Sequence, residues 1–187
     1  MKTILVIASV LTLFGCANVQ IDNKYQNVNS EKVCLGSSEL PNNIANKFEA
    51  VEDDLFLSKT LGIPQKGALC QGRVYKSKID SKIILYRAWN STNLNSKFGK
   101  WWAFNKPLGE ISKYRSDYEI CYQWSPLDKL VSCTLKADTK VVVGTGQSAK
   151  CSEYLTYPTS NKQQIYIDDP ANSLIDCVVF NGEFTWK

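Results

Sequence analysis

Histidine is absent from the chain. Ser-His-Asp and Cys-His catalysis therefore lack their general base, and zinc lacks a common ligand. No two cysteines stand at CxxC spacing, so no metal site is expected. Asp168 and Asp169 are adjacent and would face opposite sides of a strand; before Pro170 they read as a turn. GTGQS has neither the spacing nor the Lys-Ser/Thr end of a phosphate loop. A Ser-Lys dyad is conceivable and unsupported, and Gln163 and Gln164 open the alternation NKQQIYID, where an edge amide is ordinarily a solvated surface residue. One reaction type suits an inventory without histidine, cleavage of the nicotinamide–ribose bond of NAD. The pyridinium becomes neutral as it leaves, so no general acid is needed, only a grip on the dinucleotide and stabilisation of an oxocarbenium-like transition state. An arginine can clamp the pyrophosphate, aromatic rings can flank the nicotinamide, and a strand amide can hold a ribose hydroxyl.

The elements that must position these residues follow from periodicity. In PNNIANKFEAVEDDLFL, Ile44, Phe48, Val51 and Leu55 recur at helical spacing, which predicts one N-terminal amphipathic helix with Glu52, Asp53 and Asp54 as a solvated edge. GRVYKS and SKIILYRAW read as strands and NSTNLNSKFG as a loop. KWWAF, a short helix around NKPLGEISKYR, and the strands DYEICYQW, LVSCTLKA, TKVVVG, QIYI and CVVFNGEFTW complete the chain. One helix followed by antiparallel strands is an α+β fold.

The chain opens MKTILVIASVLTLFGCAN, with Lys2 before an apolar run too short to span a bilayer, the pattern of an export signal. Leu13-Phe14-Gly15-Cys16 resembles the bacterial lipobox, which implies residues 1–15 as signal peptide and acylation of Cys16. Residues 16–32 are polar and rich in Asn and read as a flexible spacer, leaving 33–187 as one domain. The expected location is exported and membrane-anchored, on the periplasmic or cell-surface side. A net charge of +4 without a dense Lys/Arg cluster disfavours nucleic acid as partner. Apart from Cys16, Cys34, Cys70, Cys121, Cys133, Cys151 and Cys177 read as three disulfides. DYEICYQW and LVSCTLKA flank the turn SPLDK, which suggests Cys121–Cys133 across a hairpin, with Cys34–Cys70 and Cys151–Cys177 as the remaining guess.

ILYRAWNS, the loop into FGKWWAF and the closing NKQQIYI together resemble the ADP-ribosyltransferase superfamily over about residues 83–168. The resemblance implies a split antiparallel β-sheet around an NAD cleft, with Arg87 on the cofactor and Trp101, Trp102 and Tyr86 lining the nicotinamide pocket. Ala103 and Phe104 stand where transferases carry hydroxyls, and Gln164 stands where they carry the catalytic glutamate. An amide orients a hydroxyl but does not ionise, so acceptor activation is lost while ribose orientation survives. NAD glycohydrolase toxins of the superfamily end in a similar Gln and Tyr, which implies hydrolysis of NAD as substrate, with Arg87 and Gln164 as catalytic residues and no metal. The competing reading is a catalytically inactive surface lipoprotein that binds a nucleotide or a protein partner.

Overall fold

The structure, a computed structural model, describes residues 33–79 and 81–180. The export signal, Cys16, the spacer and the last residues of CVVFNGEFTW lie outside them. Two antiparallel sheets carry the fold. The larger has the order β1-β2-β6-β9-β4, built from β1 (Phe48–Ala50), β2 (Leu69–Ser77), β6 (Lys140–Gly146), β9 (Gln163–Tyr166) and β4 (Trp101–Trp102). The smaller has the order β10-β5-β3, from β10 (Leu174–Val179), β5 (Lys129–Leu135) and β3 (Ile83–Trp89). A two-stranded ribbon joins β7 (Ala149–Lys150) to β8 (Thr156–Tyr157). Short helices α1 (Asn42–Ala45), α2 (Asp54–Ser58), α3 (Ile111–Asp117) and α4 (Pro170–Ser173) and a 3₁₀ turn (Leu94–Phe98) fill the connections. The α+β class read from the sequence is the class observed.

Alternation explains the main core. Leu85 of β3 and Val131, Cys133 and Leu135 of β5 meet Val141 and Val143 of β6 and Ile165 of β9, all at most 1% exposed. Burying such side chains contributes about 1.5–3 kcal/mol each. A second cluster, with Phe56, Leu69, Val74, Val142 and Tyr166, covers the other face of the large sheet.

The single N-terminal helix is not what forms. Its central residues Phe48, Glu49 and Ala50 pair with Ser77, Lys76 and Tyr75 of β2. The hydrogen bonds of a sheet edge outweigh a helical period only three turns long. The acidic run ends the interruption: the Asp53 side chain caps α2 by accepting from the Phe56 N–H at 2.9 Å and pairs with Lys140 at 2.7 Å.

DYEICYQW is not a strand either. Arg115, in the last turn of α3, donates to the carbonyls of Ile120 at 3.3 Å, Cys121 at 3.2 Å and Ser125 at 2.6 Å, and so spends the groups a ladder would need. The hairpin that would have paired Cys121 with Cys133 is therefore absent. Cys121 joins Cys151 and Cys133 joins Cys177, correcting both the Cys121–Cys133 and the Cys151–Cys177 expectations. Cys133 on β5 faces the register shift of the neighbouring β10, where Cys177 lies. Cys34 joins Cys70, the remaining pairing expected.

That last bridge belongs to a strap along the large sheet. Gln71 donates to the carbonyls of Leu35 at 3.2 Å and Gly36 at 3.0 Å, and Arg73 pairs with Glu39 at 2.6 Å. Gln163 donates to the carbonyls of Ser37 at 2.8 Å and Glu39 at 2.6 Å. Gln163 thus has a structural task, tying β9 to residues 37–39.

Candidate functional site

The site arises where the chain changes sheets. Trp101 and Trp102 pair with Tyr166 and Ile165 of β9, but the next residue, Ala103, leaves β9 and exchanges hydrogen bonds of 2.9 Å with Tyr86 of β3. Gln164 is paired with Gly144 on one side only. At this gap lies a cavity of about 190 Å³ whose walls include Arg87, Trp101, Trp102 and Gln164. Four of the five residues expected at the site are therefore together. Tyr86 is the exception and does not line the cavity; strand alternation sends it and its neighbour Arg87 to opposite faces of β3.

Arg87 is held rather than loose. Its Nε donates to the Ser96 carbonyl at 2.8 Å and its Nη1 to the Trp101 carbonyl at 2.6 Å. A Cβ at residue 99 would overlap Nη2, so Gly99 is what lets the guanidinium lie against the backbone. Among the described residues no carboxylate pairs with Arg87. Burial lowers its pKa from the ordinary value, with Tyr114 working against the shift; at that starting value the group stays a cation. A fixed cation without a counter-ion at a cavity wall is suited to an anionic ligand.

Gln164 is 8% exposed, and its Nε2 donates to the Tyr118 carbonyl at 3.2 Å and to Glu119 Oε2 at 3.0 Å. With both amide hydrogens engaged, its Oε1 is left as a neutral acceptor. That oxygen can receive a hydroxyl from a ligand.

Glu119 was not found from the sequence. It sits in the left-handed region at φ 49°, after the end of α3, and is 2% exposed. A Cβ at residue 146 would overlap its Oε2, so Gly146 makes its place beside Gln164. Burial pushes its carboxyl up from 4.5 to about 8, against the hydrogen-bonding influence of Ser160 and Gln164. Tyr114, Tyr118 and Trp124 also face the cavity. Burial pushes the Tyr114 hydroxyl up to about 12 and the Tyr118 hydroxyl upward as well. The only sequence signal for this wall is an acid and aromatics beside Cys121, a pattern that also reads as strand. Among the described residues no cluster of His, Cys, Asp and Glu could hold a metal ion, and no helix is long and apolar enough to cross a membrane.

No family model matches the chain, and no curated protein matches it. Among solved structures it is similar to the structure of Tne2 in complex with Tni2, at 11% identity and a TM-score of 0.40, over 62% of this chain and 93% of that chain.

Proposed function

We propose that this protein binds NAD in the cavity between its two sheets and cleaves the nicotinamide–ribose bond, with an ADP-ribosyltransferase-like split sheet as the frame. The observation that carries the reading is that Arg87 of β3 and Gln164 of β9, 77 positions apart in sequence, line one cavity with Trp101 and Trp102. Arg87 would bind the pyrophosphate through the N–H groups that Ser96 and Trp101 leave free. Gln164 Oε1 would accept from a ribose hydroxyl and so fix the sugar while its C1′–N bond breaks. The bonding pair leaves with nicotinamide, C1′ becomes oxocarbenium-like, and water adds there and gives up a proton, yielding ADP-ribose. Without an ionisable group at residue 164, transfer to a protein acceptor is not expected.

The competing reading, a nucleotide-binding protein without chemistry, is favoured by the non-ionisable amide of Gln164 and by Ala103, which spends its backbone on Tyr86. One experiment separates the two. Purified protein is incubated with NAD while nicotinamide release and NAD binding are followed in parallel. Release that falls at least about a hundredfold in Arg87→Ala and Gln164→Ala supports the enzyme. Binding without release leaves the binding protein, and neither binding nor release ends the NAD reading.

A further inference from the structure

The cavity wall contains a group that the mechanism above leaves unused. Glu119 is 2% exposed; Gln164 Nε2 donates to its Oε2, Ser160 favours the carboxylate from nearby, and its Oε1 has no hydrogen-bond partner of normal geometry among the described residues. No lysine or arginine among the described residues forms an ion pair with it. A carboxyl group so placed persists either as the neutral acid or opposite a cation that enters with a ligand. Its cavity neighbours Trp101, Tyr118 and Trp124 are aromatic, and aromatic faces attract cations, most strongly where water is excluded. Trp124, which also lines the cavity, is 53% exposed.

We propose that the Glu119 wall of the cavity is a subsite for a delocalised organic cation, with Glu119 as the counter-ion. The inference rests on the NAD reading only for the cation's identity, the pyridinium ring of the dinucleotide before cleavage. In the free protein the carboxyl holds its proton at neutral pH; an arriving cation favours the carboxylate, and the proton leaves to solvent.

The surrounding groups leave that exchange to Glu119. Tyr114 and Tyr118 are both pushed upward by burial and stay neutral below pH 10. The Arg115 guanidinium is taken by three carbonyls, and Asp117 is paired with Lys113 at 2.6 Å. Gly146 of β6 and Gln164 of β9 carry no charge. Arg87 shares the cavity, forms no ion pair with Glu119 and lies close enough to Tyr114 for their charges to interact.

Calorimetric titration with 1-methylnicotinamide, a permanent cation, against neutral nicotinamide tests this without any cleavage. In wild-type protein the cation should bind about tenfold or more tightly at pH 8.5. Its affinity should rise about thirtyfold from pH 6.5 to 9, with one proton released per cation bound at the acid end, read by repeating the titration in buffers of different ionisation enthalpy. Glu119→Gln, which keeps the shape of the neutral acid, should bind both compounds alike and without pH dependence. Equal affinities in the wild type, or a cation preference that survives in Glu119→Gln, would overturn the subsite. Tetramethylammonium is a further arm. If it binds with the same Glu119 dependence while 1-methylnicotinamide does not, the pocket takes a saturated cation, and both the delocalised-cation subsite and the NAD reading fall. A Glu119-dependent preference for 1-methylnicotinamide without NAD cleavage supports the subsite and leaves only the chemistry refuted.

Discussion

Replacing Glu119 by glutamine should make the protein more stable, and by an amount that depends on pH. The carboxyl has its proton affinity raised from 4.5 in the unfolded chain to about 8 in the folded one. Between those values the folded state binds a proton that the unfolded state lacks. Stability contributed by this group is therefore fully present below about pH 4.5 and is lost as pH rises through about 8, at a slope of about 1.4 kcal/mol per pH unit. From pH 5 to pH 7 the wild type should lose about 2–3 kcal/mol relative to Glu119→Gln. In a domain of this size that is about 5–10 °C in Tm. Glutamine at this position can still accept from Gln164 Nε2 and has no proton to give up. Urea denaturation of both proteins from pH 5 to pH 9, with the disulfides intact, measures the difference directly. Other titrating groups, such as Asp53 and Asp168, occur in both proteins and cancel. A difference that stays constant across this range, or one that grows in favour of the wild type, would refute the picture of Glu119 as a buried acid without a cation.

Two further outcomes follow from the same geometry. Gly146→Ala puts a methyl group where Glu119 Oε2 and Gln164 Nε2 meet; it should destabilise by about 1–3 kcal/mol and abolish the pH-dependent difference described above, read by repeating the denaturation series. Removing the Cys121–Cys151 bridge as a double alanine variant should cost about 3–4 kcal/mol, the chain-entropy value for a separation of 30 residues, measured by urea denaturation under oxidising conditions.

The strands were legible from short apolar runs bounded by turn residues. SKIILYRAW alternates where Leu85 packs inward and Ile84 faces out, whereas TKVVVG is a continuous apolar run because β6 is buried on both faces, by Val141 and Val143 on one and Val142 on the other; the observed β3 and β6 match these runs to within a few residues. Arg87 and Gln164 could be singled out by type, as an arginine among apolar neighbours and an amide at the head of a strand. Two of the failures, at Phe48 to Ala50 and at Glu119, come from partners far along the chain, and two, at Cys121 and Tyr86, from local geometry. Phe48 to Ala50 look helical in isolation and become a strand because β2 offers them an edge. Cys121 looks like a strand cysteine until Arg115 gathers the carbonyls around it. Glu119 gains its character from Gln164, 45 residues later, and from the missing side chain of Gly146. Tyr86, which the resemblance implies at the pocket, is the direct neighbour of Arg87 on β3, and neighbours on a strand face opposite sides.

The strap over residues 34–39 also decides how this domain would respond to mechanical load. A pull on the chain ahead of Cys34 does not reach α1 first, because the bridge passes the tension to Cys70 in β2, and β2 is hydrogen-bonded on both flanks, to β1 and β6. The load then enters the large sheet at the start of β2 and not at the first helix of the chain. Through Gln163 the same strap grips β9 beside the cavity, so the strands that carry the load and the strand that carries Gln164 are braced together.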